Sequence, residues 1–216
     1  MILGGRFPLS IEGSRFDNME GGVEPGVGPD YVLSGATEPD RENQKTLVQG
    51  SIRLTIQNLL EQGHIVVLVY PIPEVGWQFP EEIERRAILQ NPEEVVRRAR
   101  VLNEAVDARG EIFSKIRKRI LPQLNSWPLN SPVTTSYEVY VDRTQSSFDA
   151  LDSVTSDHII RIYPHKIFCD EREGGRCVTH DDNTIFYFDD NHLSSAGALL
   201  VTGEIMKEIS HWDPQP

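Results

Sequence analysis

Apolar residues along the chain fall into a few short unbroken runs, separated by longer stretches in which they recur at helical spacing. Ile65-Val66-Val67-Leu68-Val69-Tyr70 is β-branched and continuous, the pattern of a parallel strand buried on both faces. Ile159-Ile160-Arg161-Ile162-Tyr163-Pro164 and the run Thr184 to Phe188 predict two further buried strands, and Ile2-Leu3 before Gly4-Gly5 predicts the end of a strand that starts upstream of Met1. Between the runs, Asp40 is placed to cap a helix over residues 41–62, with Leu47, Ile52, Leu54, Ile56, Leu59 and Leu60 as its apolar stripe and Gly63 as its stop. Helices are predicted over residues 81–90 and 92–120, the second with Pro92 in its first turn. Another is predicted over residues 135–154, with Tyr137, Tyr140, Val141, Phe148 and Leu151 inward. The last covers residues 196–209, where Leu199, Leu200, Ile205, Met206 and Ile209 recur and Ser194-Ser195 offers the cap. Gly- and Pro-punctuated residues 13–40 and the proline-rich stretch 122–132 read as loops. The order β-α-β-α-α-β-β-α predicts a three-layer α/β fold with a mainly parallel sheet, in one domain over residues 1–216.

Composition narrows the partners more than the fold. The 216 residues suit one domain with a sizeable core, while 14 prolines and 16 glycines imply long loops. A net charge of −12 argues against a nucleic-acid partner and against an anionic membrane surface. The basic cluster Lys115-Ile116-Arg117-Lys118-Arg119 reads as a solvated helix end. No run approaches the ~20 apolar residues of a membrane span, and the first residues carry no export signal. Cys169 and Cys177 bracket a short Gly-containing loop; a disulfide and two free thiols both fit the residues, and the spacing does not suit a zinc knuckle.

One turn concentrates candidate chemistry. In Tyr187-Phe188-Asp189-Asp190-Asn191-His192-Leu193-Ser194 a carboxylate precedes a histidine by three residues, between a predicted strand and a helix start. Sites in open α/β sheets form outside the strand ends. From there Asp189 can reach the imidazole of His192, fix its tautomer and stabilise its cation; a solvated polar turn is the alternative. Asp190 is expected to point the other way. Ser194 and Ser195 are better explained as caps than as nucleophiles, and Ser14 and Ser51 have no strained turn to expose them. His180, Asp181, Asp182, Asp189 and His192 could be gathered into a metal site, but without a ligand-spacing motif; no metal and no cofactor is predicted. Trp77 and Tyr70 are candidate sugar-stacking rings for which packing is the safer assignment.

The block Phe188-Asp189-Asp190-Asn191-His192-Leu193-Ser194 resembles the Asp-x-x-His block of SGNH hydrolases, and more narrowly the SGNH-type domain at the C-terminus of acyltransferase-3 family membrane O-acyltransferases. Ile2-Leu3-Gly4-Gly5-Arg6-Phe7 with Glu12-Gly13, the stretch Val66 to Pro71 with Ile72-Pro73-Glu74, and the paired cysteines agree with that domain over nearly the whole chain. The resemblance implies an SGNH-hydrolase-like, flavodoxin-like fold lacking its first strand. It implies transfer of an acyl group, acetyl in the family, through a serine ester to hydroxyls of a bacterial surface glycan. His192 would be the general base and Asp189 its orienter, with a membrane acyltransferase domain supplying the acyl group at the periplasmic face of the inner membrane. The family's Gly-Asp-Ser block is absent from these 216 residues, as are a Gly-x-Ser-x-Gly elbow and the Gly-x-Asn-Asp block. The chain is therefore expected to correspond to the C-terminal part of such a domain and to be inactive alone. A non-catalytic glycan- or partner-binding remnant of the fold, or a carbohydrate esterase, are the alternatives.

Overall fold

A computed structural model describes residues 1–25, 41–90, 133–170, 174–181 and 184–213. Its centre is a parallel sheet of β1 (Ile2–Gly4), β2 (Val66–Val69) and β4 (Ile159–Ile162), in the order β1-β2-β4. Val67 of β2 pairs with Ile2 on one side and Ile160 on the other. Helices α1 (Phe7–Glu12), α2 (Arg41–Glu61) and α4 (Tyr137–Asp152) pack together on one face. There Ile56, Val66, Leu68, Tyr70, Leu151 and Val154 form a core that Leu3 and Phe7 extend. On the other face Val67, Ile160 and Ile162 meet Ile205 and Trp212 of the segment formed by α6 (Ser195–His211) and its end. Alternate residues of one strand thus serve two cores, as the two-residue period of a strand buried on both faces requires.

The sequence did not announce a second sheet, which is antiparallel. It comprises β3 (Thr134–Ser136), β6 (Arg176–Val178) and β5 (Cys169–Asp170), in the order β3-β6-β5. Cys169 and Cys177 stand opposite each other in its register and are bonded, which resolves the choice between disulfide and thiols. A third apolar cluster joins this sheet to α3 (Phe79–Gln90), α5 (His165–Phe168) and the approach to the Asp–His turn, through Val75, Phe79, Ile83, Val133, Phe168, Phe186, Tyr187 and Val201.

Several expectations need correction. Residues 184–188 do not form a strand; only isolated bridges occur, His180 with Ile185 and Tyr187 with Leu193. Phe186 and Tyr187 are buried by packing in the third cluster, while the Phe186 N–H donates to Thr179 O and the Phe186 carbonyl accepts from the Ser194 N–H, so burial here needs no sheet. The helix expected from 135 starts at Tyr137, because Thr134 and Thr135 pair with Val178 and Cys177 instead. On α2, Leu47 and Leu54 lie seven residues apart on the face opposite Ile52, Ile56 and Leu59 and are exposed; Val141 also turns outward. Gly63 does stop α2, at φ 79°, with its N–H on Leu60 O. The Asp40 cap, residues 92–120 with their basic cluster, and residues 122–132 lie outside the described residues. No described helix is long and apolar enough to cross a membrane.

Candidate active site

The Asp–His turn is closed by its own backbone. The Phe188 N–H donates to His192 O at 2.8 Å and the Ser194 N–H to Phe186 O at 2.8 Å, so residues 186–194 fold back on themselves. Inside this loop Asp189 Oδ1 accepts from the N–H groups of Asn191, at 3.0 Å, and His192, at 2.7 Å, an Asx-type arrangement that needs a short side chain with an acceptor oxygen at this position. His192 Nδ1 lies 2.9 Å from Oδ2 and 3.0 Å from Oδ1 of the same carboxylate. Helix α6 starts immediately afterwards. Ser194 Oγ accepts from the Gly197 N–H at 3.2 Å and donates to Ile185 O at 2.6 Å, so this serine is a cap tied to the incoming chain. Gly197 packs so tightly on the Phe186 carbonyl that a Cβ there would overlap the oxygen, which fixes the helix start against the turn.

The charges in the turn are set by these contacts. Partial burial works against the Asp189 carboxylate, but the N–H groups of Asn191 and His192, and then the imidazole, outweigh it and hold its pKa below the ordinary value. Asp189 is therefore a fixed anion facing Nδ1, which selects the tautomer with the proton on Nδ1 and leaves the Nε2 lone pair as a base. The imidazole side chain is 70% exposed, open to a reacting group. Asp190 behaves oppositely: it is 5% exposed, and burial, with the neighbouring Asp189 charge, pushes its pKa up. Its carboxylate accepts from Gln78 Nε2 at 3.2 Å.

Loop 71–78, leaving the C-terminal end of β2, is a strap that grips this turn. The N–H groups of Val75 and Gly76 donate to Asp190 O at 2.8 and 3.1 Å. The hydroxyl of Tyr187 donates to Pro73 O at 2.7 Å, and that of Tyr140 to Pro71 O at 3.0 Å. The Asn18 side chain, completely buried, donates from Nδ2 to Val75 O at 2.9 Å and accepts from Glu20 and Gly22 N–H groups, which docks loop 14–24 on the same strap. Gly76 has φ 79° and lies against the Gly22 carbonyl, a position that a side chain would fill.

Behind the strap lies an ion network. Arg6, just past β1, holds Glu24 through Nη1 and Nη2 at 3.0 and 2.8 Å, and Glu74 through Nε at 3.1 Å and through Nη2. Arg143 of α4 reaches the other oxygen of Glu74 at 3.3 Å and binds Ser14 through both its hydroxyl and its carbonyl. Both glutamates are only 8% exposed. Burial opposes the charge on Glu24, yet the Arg6 bonds and the Phe16 N–H hold its pKa below the usual range. The sequence marks Glu74 only as part of a Pro-x-Pro-Glu loop and Arg6 as the residue after Gly4-Gly5; nothing in their spacing joins them.

Of the residues singled out from sequence, Asp189 and His192 are brought together, and Asp190 faces away into the strap. His180 accepts the Val133 N–H on Nε2 at 3.1 Å, and Asp182 lies outside the described residues. No group of three His, Cys, Asp or Glu side chains suited to a metal ion occurs among the described residues. Tyr70 is core, between Phe148 and Tyr163, and Trp77 is half-buried under the Arg86 guanidinium. Ser14 is engaged by Arg143, and Ser51 lies on α2.

Comparison with known protein families matches residues 1–207 to the SGNH domain that is fused to AT3 domains. No curated protein and no solved structure matches the chain.

Proposed function

This chain belongs to the family of SGNH domains fused to AT3 domains, and from that premise we propose that Asp189 and His192 are the acid–base pair of a serine acyl-transfer domain acting on a bacterial surface glycan. The reading rests on one observation above all: an exposed imidazole whose Nδ1 is held by a carboxylate that two backbone N–H groups keep ionised. In the proposed reaction a serine hydroxyl attacks the carbonyl of an acyl donor and gives its proton to His192 Nε2. The imidazolium, stabilised by Asp189, returns that proton to the departing donor group. A glycan hydroxyl then attacks the serine ester, His192 accepts its proton, and the serine oxygen is reprotonated as it leaves.

The serine comes from a Gly-Asp-Ser segment outside these 216 residues, and the AT3 membrane domain delivers the acyl group, at the periplasmic face of the inner membrane in the parent architecture. Within the chain, Ser194 is committed to its cap and Ser195 to the first turn of α6. Labelling with a fluorophosphonate probe tests the arrangement. The 216-residue chain alone is expected to remain unlabelled, and a protein joining it to a Gly-Asp-Ser segment is expected to label in a way that His192→Ala abolishes. Labelling of the chain alone that is lost on replacing Ser194 or Ser195 sinks the proposal of an external nucleophile. A joined protein that never labels but binds glycan favours a non-catalytic binding role.

A further inference from the structure

We propose that Glu74 is a positioning residue for the Asp189–His192 pair, acting through the strap that it anchors to Arg6 and Arg143. This rests on the reading of that pair as the working acid–base unit. The connection runs through one peptide plane. The carbonyl of Asp190 and the N–H of Asn191 belong to the same planar amide and point in opposite directions. Val75 and Gly76 hold that carbonyl from one side, at 2.8 and 3.1 Å. The Asn191 N–H on the other side is thereby aimed at Asp189 Oδ1, which it reaches at 3.0 Å. Rotation of the plane would remove one of the two backbone donors that hold the carboxylate against His192 Nδ1.

Glu74 is the residue immediately before Val75, and it fixes the strap at that point. One of its oxygens takes Arg6 and the other takes Arg143, from two different elements: the exit of β1 and the first half of α4. With both oxygens occupied and 8% exposure, the carboxylate has little rotational freedom, so Val75 N–H inherits a fixed position. Asn18 secures the carbonyl side of Val75, and Glu74 adds the strap's ion pairs, to Arg6 and Arg143. Its amide isostere would keep the shape and lose the ability to accept both guanidinium groups, because the amide nitrogen would face a donor.

Nitrogen-15 NMR of the His192 ring, in the chain as it stands and at a pH where the imidazole is neutral, tests this without needing turnover. The wild type is expected to show mainly the Nδ1–H tautomer. Asp189→Asn is expected to shift it toward Nε2–H, and Glu74→Gln to reproduce more than half of that shift. His158 and His211 should not move, and Glu74→Asp should restore part of the wild-type signal. A Glu74→Gln protein that keeps β2 and β4 amide shifts and the wild-type tautomer, while Asp189→Asn shifts it, overturns the positioning role and leaves the pair intact. No Nδ1–H preference in the wild type overturns the underlying reading of the pair instead. Should Glu74→Gln fail to fold, Arg143→Gln, which leaves Arg6 on Glu74, is expected to give a smaller shift in the same direction; an unchanged tautomer there also overturns the proposal.

Discussion

Two adjacent aspartates, Asp189 and Asp190, have opposite fates because their surroundings differ. Asp189 accepts two backbone N–H groups and an imidazole and stays ionised; Asp190 is buried beside another anion and is pushed toward its protonated form. The linkage to stability follows with opposite signs. Asp189, whose folded pKa is lowered, stabilises the fold above the ordinary carboxylate range, and that contribution is lost as pH falls through the lowered value. Asp190, whose folded pKa is raised, stabilises the fold at low pH, and that contribution is lost as pH rises through the raised value. Asp190→Asn is therefore expected to raise the melting temperature at neutral pH, an advantage that vanishes on acidification, as scanning calorimetry at several pH values would show. In a protein that also carries the serine, His192→Ala is expected to lower kcat by roughly 10²–10⁴-fold, the usual worth of a general base, in an acyl-transfer or esterase assay.

Short elements hold the site in place, and each has an identifiable fastening. Ser194 both caps α6 and bonds Ile185, so Ser194→Ala removes two hydrogen bonds at once. We expect a loss of about 1–2 kcal/mol in urea unfolding, within the range for a lost N-cap. The β5–β6 hairpin is fastened by Cys169–Cys177, which closes a loop with a sequence separation of 8. Reduction is expected to cost roughly 2–3 kcal/mol by chain entropy, read from unfolding with and without reductant. Helix α6 keeps Gly197, Val201 and Ile205 inward and leaves Leu199 and Met206 exposed, so its apolar content exceeds what this fold buries. That difference was not visible from spacing, because which arc of an apolar-rich helix faces inward depends on what packs against it.

Across the whole molecule, the Arg6–Glu24–Glu74–Arg143 network joins β1, loop 14–24, the strap and α4. Its parts are worth more together than singly, since removal of one partner leaves buried charge uncompensated. Arg6→Ala is expected to destabilise the protein by about 3 kcal/mol near neutral pH, because two glutamates lose their main cation. The deficit should shrink in acid, where Glu24, held below its usual pKa when paired, becomes protonated. Equilibrium unfolding at neutral and acid pH measures both.

The linear order of residues was enough for β1, β2 and β4, for the helix that Gly63 ends, for the Ser194 cap, and for the local pair Asp189 and His192. In each case the determining contacts span a few residues or repeat with a fixed period, so the pattern carries them. The second sheet, the cysteine pairing, the unpaired course of residues 184–188 and the inward arc of each helix were decided by tertiary packing. Above all, the link from Arg6 to Glu74 to Val75 to Asp190 exists only in the fold. Its partners lie 68 residues apart on one side and more than a hundred on the other, and no local propensity encodes a hydrogen bond across that distance. The sequence alone could put a carboxylate beside a histidine; holding that carboxylate still required the strap.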